Sequence, residues 1–339
     1  MITTVYRLVS PKRVEEFYLE EDIRGKVVVR PTRMSICSAD QRYYQGNRTL
    51  DILNDKLPMA LIHECIGEVV YSGVDDFVVG DCVVLIPISP VEVDDFICEN
   101  YLESSVFCSS GGDGFMRDYV VLPSDRLLKI PEGVNLDVFS FVELVSVSFQ
   151  AVNRFLKFYD GRCEVIGVWG DGNLGYITSL LLKTLLPDVR VFVFGVNDDK
   201  LELFSFVDET YKVNEVPDGL RVDCGSECVG GLGSQDAINQ FIDIVNPMGI
   251  LSILGVSEYP ISINTRKILE KGLIIYGTTR SSREDFIGTI NLLKENPILI
   301  EYLENIINQK ITIKNTQDII KAFDKDYNSN GKTILKWKI

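Results

Sequence analysis

The stretch EVIGVWGDGNLGYITSLLLKTLL, residues 164–186, restricts the fold more than any other part of the chain. A short run rich in valine and isoleucine meets a long apolar run through Gly170, Gly172 and Gly175. Glycines in G-x-G-x-x-G spacing between a strand and a helix serve three purposes. The first permits a tight turn, the second lets the backbone approach a pyrophosphate, and the third lets helix and strand pack closely. Asn173 and Leu174 open the helix, whose N-terminal N–H groups and dipole suit a diphosphate. The segment therefore predicts a strand–helix unit that binds a dinucleotide, set in a parallel sheet.

The chain keeps that rhythm afterwards. VRVFVFG, DGLRVDCGSE, GILSILG and LIIYGTT read as strands, while KLELFSF starts a helix and DAINQFIDIV forms another. Strands alternating with helices predict a doubly wound α/β domain over residues 149–279. An NAD-specific domain usually ends its second strand with an acid that bonds the ribose 2′-hydroxyl. Here VFVFG ends in Gly195 and VNDDK follows. Without the acid, no carboxylate repels a 2′-phosphate, and Lys200 is the nearest cation to pair with one. NADP(H) is therefore expected over NAD.

The flanks read differently. GKVVVRPT, CIGEVVYSG, DCVVLIPI, DYVVLP and RLLKI are short β-type runs separated by Gly, Pro and Asp. They predict a β-rich, mostly antiparallel domain over residues 1–148. After residue 280 come the amphipathic helix REDFIGTINLLKEN, further helical or β-type pieces and the strand TILKWKI, which return to that domain as 280–339.

The chain has 339 residues, with 34 Lys plus Arg against 49 Asp plus Glu, a formal charge of −15. Such an acidic balance argues against nucleic acid or an anionic membrane as partner. The N-terminus does not read as a signal peptide, and no apolar run reaches the roughly 20 residues of a membrane span. A cytoplasmic location is expected. Eight scattered cysteines then read as free thiols or metal ligands rather than a disulfide framework.

The single histidine, His63, lies in LIHECIGEVV beside Glu64. Cys37, in SICSAD, and Glu143, in FVELVSVSFQAV, are the other candidates for a metal centre. Thiolate, imidazole and carboxylate are zinc ligands, and three protein ligands plus water make a catalytic site. Spacing alone does not distinguish such a site from a buried thiol and a core histidine.

SICSAD, LIHECIGEVV, GDCVVLIP, GGDGFMRDYVVLP and VEL, in order before GDGNLG, resemble the zinc-dependent medium-chain alcohol and polyol dehydrogenases over nearly the whole chain. The resemblance implies a GroES-like β-rich catalytic domain joined to a Rossmann domain. It also implies zinc held by Cys37, His63 and Glu143, with Glu64 or a water in the fourth position. The chain departs from the family in three places. Ile62 stands where glycine often precedes the histidine, Glu143-Leu144 replaces Glu-Pro, and Ala39 replaces a relay hydroxyl, with Ser38 one residue early. The product proton is then left to zinc-bound water, Glu64 or Tyr43. The loop at about 90–110 holds only Cys98 and Cys108, so one catalytic zinc and no structural zinc is expected.

Within the family, the IHE variant, the shortened lobe, the non-acidic second strand and IIYGTTRSSREDF look most like ribulose-5-phosphate reductases that supply CDP-ribitol for teichoic acid or capsule synthesis. This implies reduction of D-ribulose 5-phosphate with NADPH, Arg280 and Arg283 on the phosphosugar, a homodimer or tetramer, and functional pairing with a cytidylyltransferase. The competing readings are a zinc polyol dehydrogenase of unphosphorylated sugars, a zinc-free quinone reductase-like enzyme and a non-catalytic protein.

Overall fold

The computed structural model describes residues 1–159 and 161–339. The chain divides into two units, Met1–Ser146 with Ser281–Ile339, and Val147–Arg280.

The first unit is built on a seven-stranded sheet. Its strands run in the order Leu127–Lys129, Cys82–Leu85, Glu64–Ser72, Val27–Ser35, Lys332–Trp337 and Ile307–Ile313, with Val120–Leu122 also pairing with Val27–Ser35. All its pairings are antiparallel except Ile307–Ile313 with Lys332–Trp337. Ser35 faces Glu64 on one side and Ile334 on the other. That register brings the end of Val27–Ser35, the start of Glu64–Ser72 and the start of Lys332–Trp337 to one place. A three-stranded sheet orders Arg13–Glu20, Ile2–Ser10 and Met59–Ala60. Helix Thr316–Asp326 buries Ile319, Ala322 and Phe323 in the same core, where Phe323 stacks on Tyr44 at 4.7 Å.

The second unit has six parallel strands in the order Glu209–Lys212, Arg190–Gly195, Val165–Trp169, Val222–Glu227, Val245–Ile253 and Ile274–Gly277. This is the 3-2-1-4-5-6 order of a dinucleotide-binding sheet. Every residue of Val165–Trp169 is buried, as expected for a strand covered on both faces. Trp169 anchors the core, stacking on Phe194 at 4.3 Å and meeting Phe241 edge-on at 5.6 Å. One expected helix is much shorter than KLELFSF suggests. It spans only Asp198–Leu201, capped by Asn197. Among the described residues, no helix is long and apolar enough to cross a membrane.

Candidate active site

Cys37 lies two residues past the end of Val27–Ser35 and forms the N-cap of helix Ser38–Tyr44. His63 and Glu64 lie at the entrance to the paired strand Glu64–Ser72. One ligand atom each from Cys37, His63 and Glu64 lie within 4.8 Å of one another. Glu143, in the first turn of helix Val142–Leu156, has Oε2 4.0 Å from Nε2 of the histidine. His63, Glu64 and Glu143 are all buried, and Cys37 is half-buried.

The opposite nitrogen of His63 is held by residues that sequence reasoning did not single out. Nδ1 lies 2.8 Å from Ser109 Oγ and 3.4 Å from Asp40 Oδ1. Asp40 is wholly buried, and its carboxylate also accepts from Ile62 N at 2.9 Å and Cys37 N at 3.1 Å. One carboxylate thus ties the Cys37 turn to the His63 segment. A ring anchored through Nδ1 leaves Nε2 to a metal, the usual way an outer partner orients a ligating histidine. The S-I-C-S-A-D spacing was a signal for Asp40, because an acid three residues into a helix bonds its N-cap.

Ile62 explains one departure from the family pattern. Its φ is +72°, in the left-handed region where glycine is favoured and a branched side chain costs about 1–2 kcal/mol. Full burial and bonds at both ends, Ile62 N to Asp40 and Phe115 N to Ile62 O at 2.8 Å, hold it there.

Lys332 is the third residue that sequence reasoning did not single out. Its Nζ donates to both oxygens of Glu64, at 2.7 and 2.6 Å, and to Ile36 O at 3.3 Å. Both side chains are essentially inaccessible. Burial pulls the lysine pKa down, but the charges of Glu64 and Cys37 outweigh it and leave it raised. Burial also opposes a proton on His63, yet Asp40 and Cys37 hold its pKa well above the ordinary value. Burial, then the charge of Glu64, push Glu143 up to about 7 despite His63 and Lys332. Four acidic side chains, Cys37, Asp40, Glu64 and Glu143, converge on one lysine and one histidine, so the pocket favours added positive charge. That donor set fits zinc.

The remaining site candidates each have their own surroundings. Tyr43 is buried one turn along helix Ser38–Tyr44, with the Arg48 guanidinium 4.8 Å over its ring. Arg283 opens helix Arg283–Glu295. Its guanidinium donates to Asp125 O at 2.9 Å and its backbone N–H to Glu99 at 2.6 Å. Arg280 is half-buried with φ +56°, and desolvation lowers its pKa. The adjoining Ser281 bonds Ser146 Oγ at 2.7 Å, and Ser146 donates to Glu143 O at 2.7 Å. Cys98 is exposed and Cys108 half-buried.

The glycine loop has the geometry its spacing predicts. Gly170 has φ +126°, and a Cβ there would lie 3.0 Å from the Cys228 backbone. A Cβ on Gly175 would sit 1.9 Å from Gly170 O, whereas one on Gly172 meets nothing within 4 Å. Gly172 is also the N-cap of helix Asn173–Leu185 and uses no side-chain cap, leaving an open N-terminus for a pyrophosphate. At Gly195 a Cβ would come within 2.7 Å of Asp171, whose carboxylate accepts from Val196 N and Asn197 N at 2.7 and 2.8 Å. The missing acid therefore also has a packing cause. Asp198 is bonded to Lys212 at 2.6 Å, a second cation at this strand end beside Lys200.

Comparison with known proteins gives the same picture. Residues 23–132 match the alcohol dehydrogenase GroES-like domain. The chain is 47% identical to a ribulose-5-phosphate reductase of Bacillus spizizenii, over 100% of both chains. It is 48% identical to ribulose-5-phosphate reductase 1 of Staphylococcus aureus, over 99% of each. The crystal structure of S. aureus TarJ in complex with NADPH superposes with a TM-score of 0.89 at 43% identity, covering 100% of both chains. The chain belongs to the zinc-dependent medium-chain alcohol dehydrogenase family, whose GroES-like unit and parallel nucleotide sheet it carries in full.

Proposed function

We propose that the protein reduces the C2 ketone of D-ribulose 5-phosphate to D-ribitol 5-phosphate with NADPH, at a single catalytic zinc. What carries this reading is the Cys37–His63–Glu64 group, with Glu143 facing Nε2, in a chain alike over its full length to ribulose-5-phosphate reductases. Cys37, His63 and Glu143 would hold the ion. Glu64 stands beside them with both oxygens already accepting from Lys332, which suits a water or substrate oxygen in the fourth position. When bound, zinc supplies a Lewis acid for a carbonyl oxygen that gains negative charge, and NADPH supplies the hydride.

The chain's own residues position and polarise. Asp40 and Ser109 fix the histidine ring. The glycine loop and the N-terminus of helix Asn173–Leu185 take the cofactor diphosphate. Gly195, with no carboxylate of its own, and Lys200 suit the 2′-phosphate. Arg280, already partly desolvated, takes the substrate phosphate by charge-assisted hydrogen bonds, with Arg283 as a lesser contributor. With one histidine in the chain, the product proton comes from water, Glu64 or Tyr43. The product suits cytidylyl transfer to CDP-ribitol.

NADPH oxidation tests this directly, with ribulose 5-phosphate or ribulose as substrate and with or without a chelator. Strong preference for the phosphate and loss of activity on chelation are expected. Equal kcat/KM for the two sugars would instead favour a polyol dehydrogenase, and indifference to the chelator would remove the zinc. Arg280→Ala should raise KM for the phosphosugar about tenfold or more, the loss of one charge-assisted bond, with KM for NADPH nearly unchanged.

Zinc binding should also depend on pH. Its ligands bind deprotonated, and Glu143 loses its proton near pH 7 without metal. Zinc affinity should therefore rise with pH, by at least about tenfold between pH 6 and 8. A flat affinity in competition with a chelating dye would argue against Glu143 as a ligand.

A further inference from the structure

Two cysteines line one cavity at the amino end of the parallel sheet, away from the glycine loop. Cys163 lies two residues before Val165–Trp169, and Cys224 sits near the start of the neighbouring strand Val222–Glu227, in register with Ile166. The Cys163 thiol donates to Val165 O at 3.6 Å, and the neighbouring Cys224 side chain raises its pKa. Both are buried, at 6% and 4% exposure.

Their backbones are pinned to each other. Asp223, adjoining Cys224, accepts at Oδ2 from Glu164 N at 2.9 Å and Val165 N at 3.0 Å, just past Cys163. Its Oδ1 accepts from Asn246 Nδ2 at 2.7 Å, which holds the carboxylate in place. Both cysteines line one cavity of about 150 Å³, together with Tyr159, Arg162 and Met248. A reagent as small as a peroxide therefore has room beside two cysteines whose backbones are tied together through Asp223.

We infer that Cys163 and Cys224 form a dithiol–disulfide pair, oxidised by a hydroperoxide that enters this cavity. One thiol, on losing its proton, attacks the terminal peroxide oxygen. The O–O bond breaks, an alcohol or water leaves, and a sulfenic acid remains on sulfur. The second thiol attacks that sulfur, the S–S bond forms, and water leaves. In sum the two thiols give up two electrons and two protons, and the hydroperoxide becomes alcohol (or water) plus water. The neighbouring Cys224 side chain, and then burial, push the Cys163 pKa up. The pair therefore responds to sustained oxidant rather than a brief pulse, because the thiolate is the reactive form.

The test uses the full-length, zinc-loaded protein treated with hydrogen peroxide, alkylated and digested without reductant. A linked peptide pair joining Cys163 to Cys224, two hydrogens lighter than its parts and separated by dithiothreitol, is the expected result. The free-thiol forms of both peptides should be lost together. In Cys163→Ala and Cys224→Ala the linked pair should vanish and the remaining thiol stay alkylatable, with basal activity unchanged. The inference is overturned if both thiols remain alkylatable once the exposed Cys98 is fully oxidised. It is equally overturned if either cysteine links elsewhere or advances to sulfonic acid without linking. The wild-type peptide map decides the question by itself, whether or not either variant folds.

Discussion

His63→Ala is expected to lose bound zinc and nearly all turnover while the chain stays folded. The imidazole is the hub of the group, with Cys37 and Glu64 within 4.8 Å and Glu143 4.0 Å from Nε2. No second histidine exists to substitute for it. Lewis-acid polarisation is worth several kcal/mol, so its loss should lower kcat/KM about a thousandfold or more. Zinc per chain, measured by elemental analysis, and NADPH oxidation should fall together. A zinc-loaded, active His63→Ala protein would refute the ligand assignment.

Lys332→Met should destabilise the protein by about 3–5 kcal/mol, because it leaves the Glu64 carboxylate buried without its counter-ion. Both oxygens of Glu64 depend on this one ammonium, and neither side chain is more than 1% exposed. The double variant Lys332→Met/Glu64→Gln removes both charges and should recover most of the loss in urea unfolding. If the single variant costs under about 1 kcal/mol, the pair does not stabilise the fold. If the double variant recovers nothing, lost packing rather than charge explains the effect.

Some of this site was readable in the sequence and some was not, for identifiable reasons. The glycine loop was readable because local sterics dictate it. Gly170 must adopt a left-handed φ, Gly175 must let a carbonyl approach, and both requirements act within six residues. Cys37, His63 and Glu143 were readable only through the order of several motifs, since their sequence separation carries no periodic signal. Asp40 was within reach, three residues after Cys37, but as a helix-capping acid rather than a partner of histidine. Ser109 and Lys332 left no local trace. Ser109 reaches His63 across 46 residues and Lys332 reaches Glu64 across 268, through long-range contacts that no short pattern encodes. The helix expected from KLELFSF failed differently. Its apolar side chains pack as a turn, with Phe204 and Phe206 against Tyr176, instead of continuing the helix beyond Leu201.

The interrupted first unit also sets an order of events during synthesis. Val147–Arg280 is one continuous piece, so its parallel sheet has all its strands before the rest of the chain is made. The unit that carries Cys37, His63 and Glu64 waits for Ser281–Ile339, because Lys332–Trp337 fills the place beside Val27–Ser35. Until that strand arrives, Glu64 has no ammonium to neutralise it, and enclosing it in the core is unfavourable. Domains generally fold as units during synthesis, and late long-range pairings are slow. The nascent protein is therefore expected to complete its parallel-sheet half first, and the Cys37–His63–Glu64 cluster only when the last strand docks.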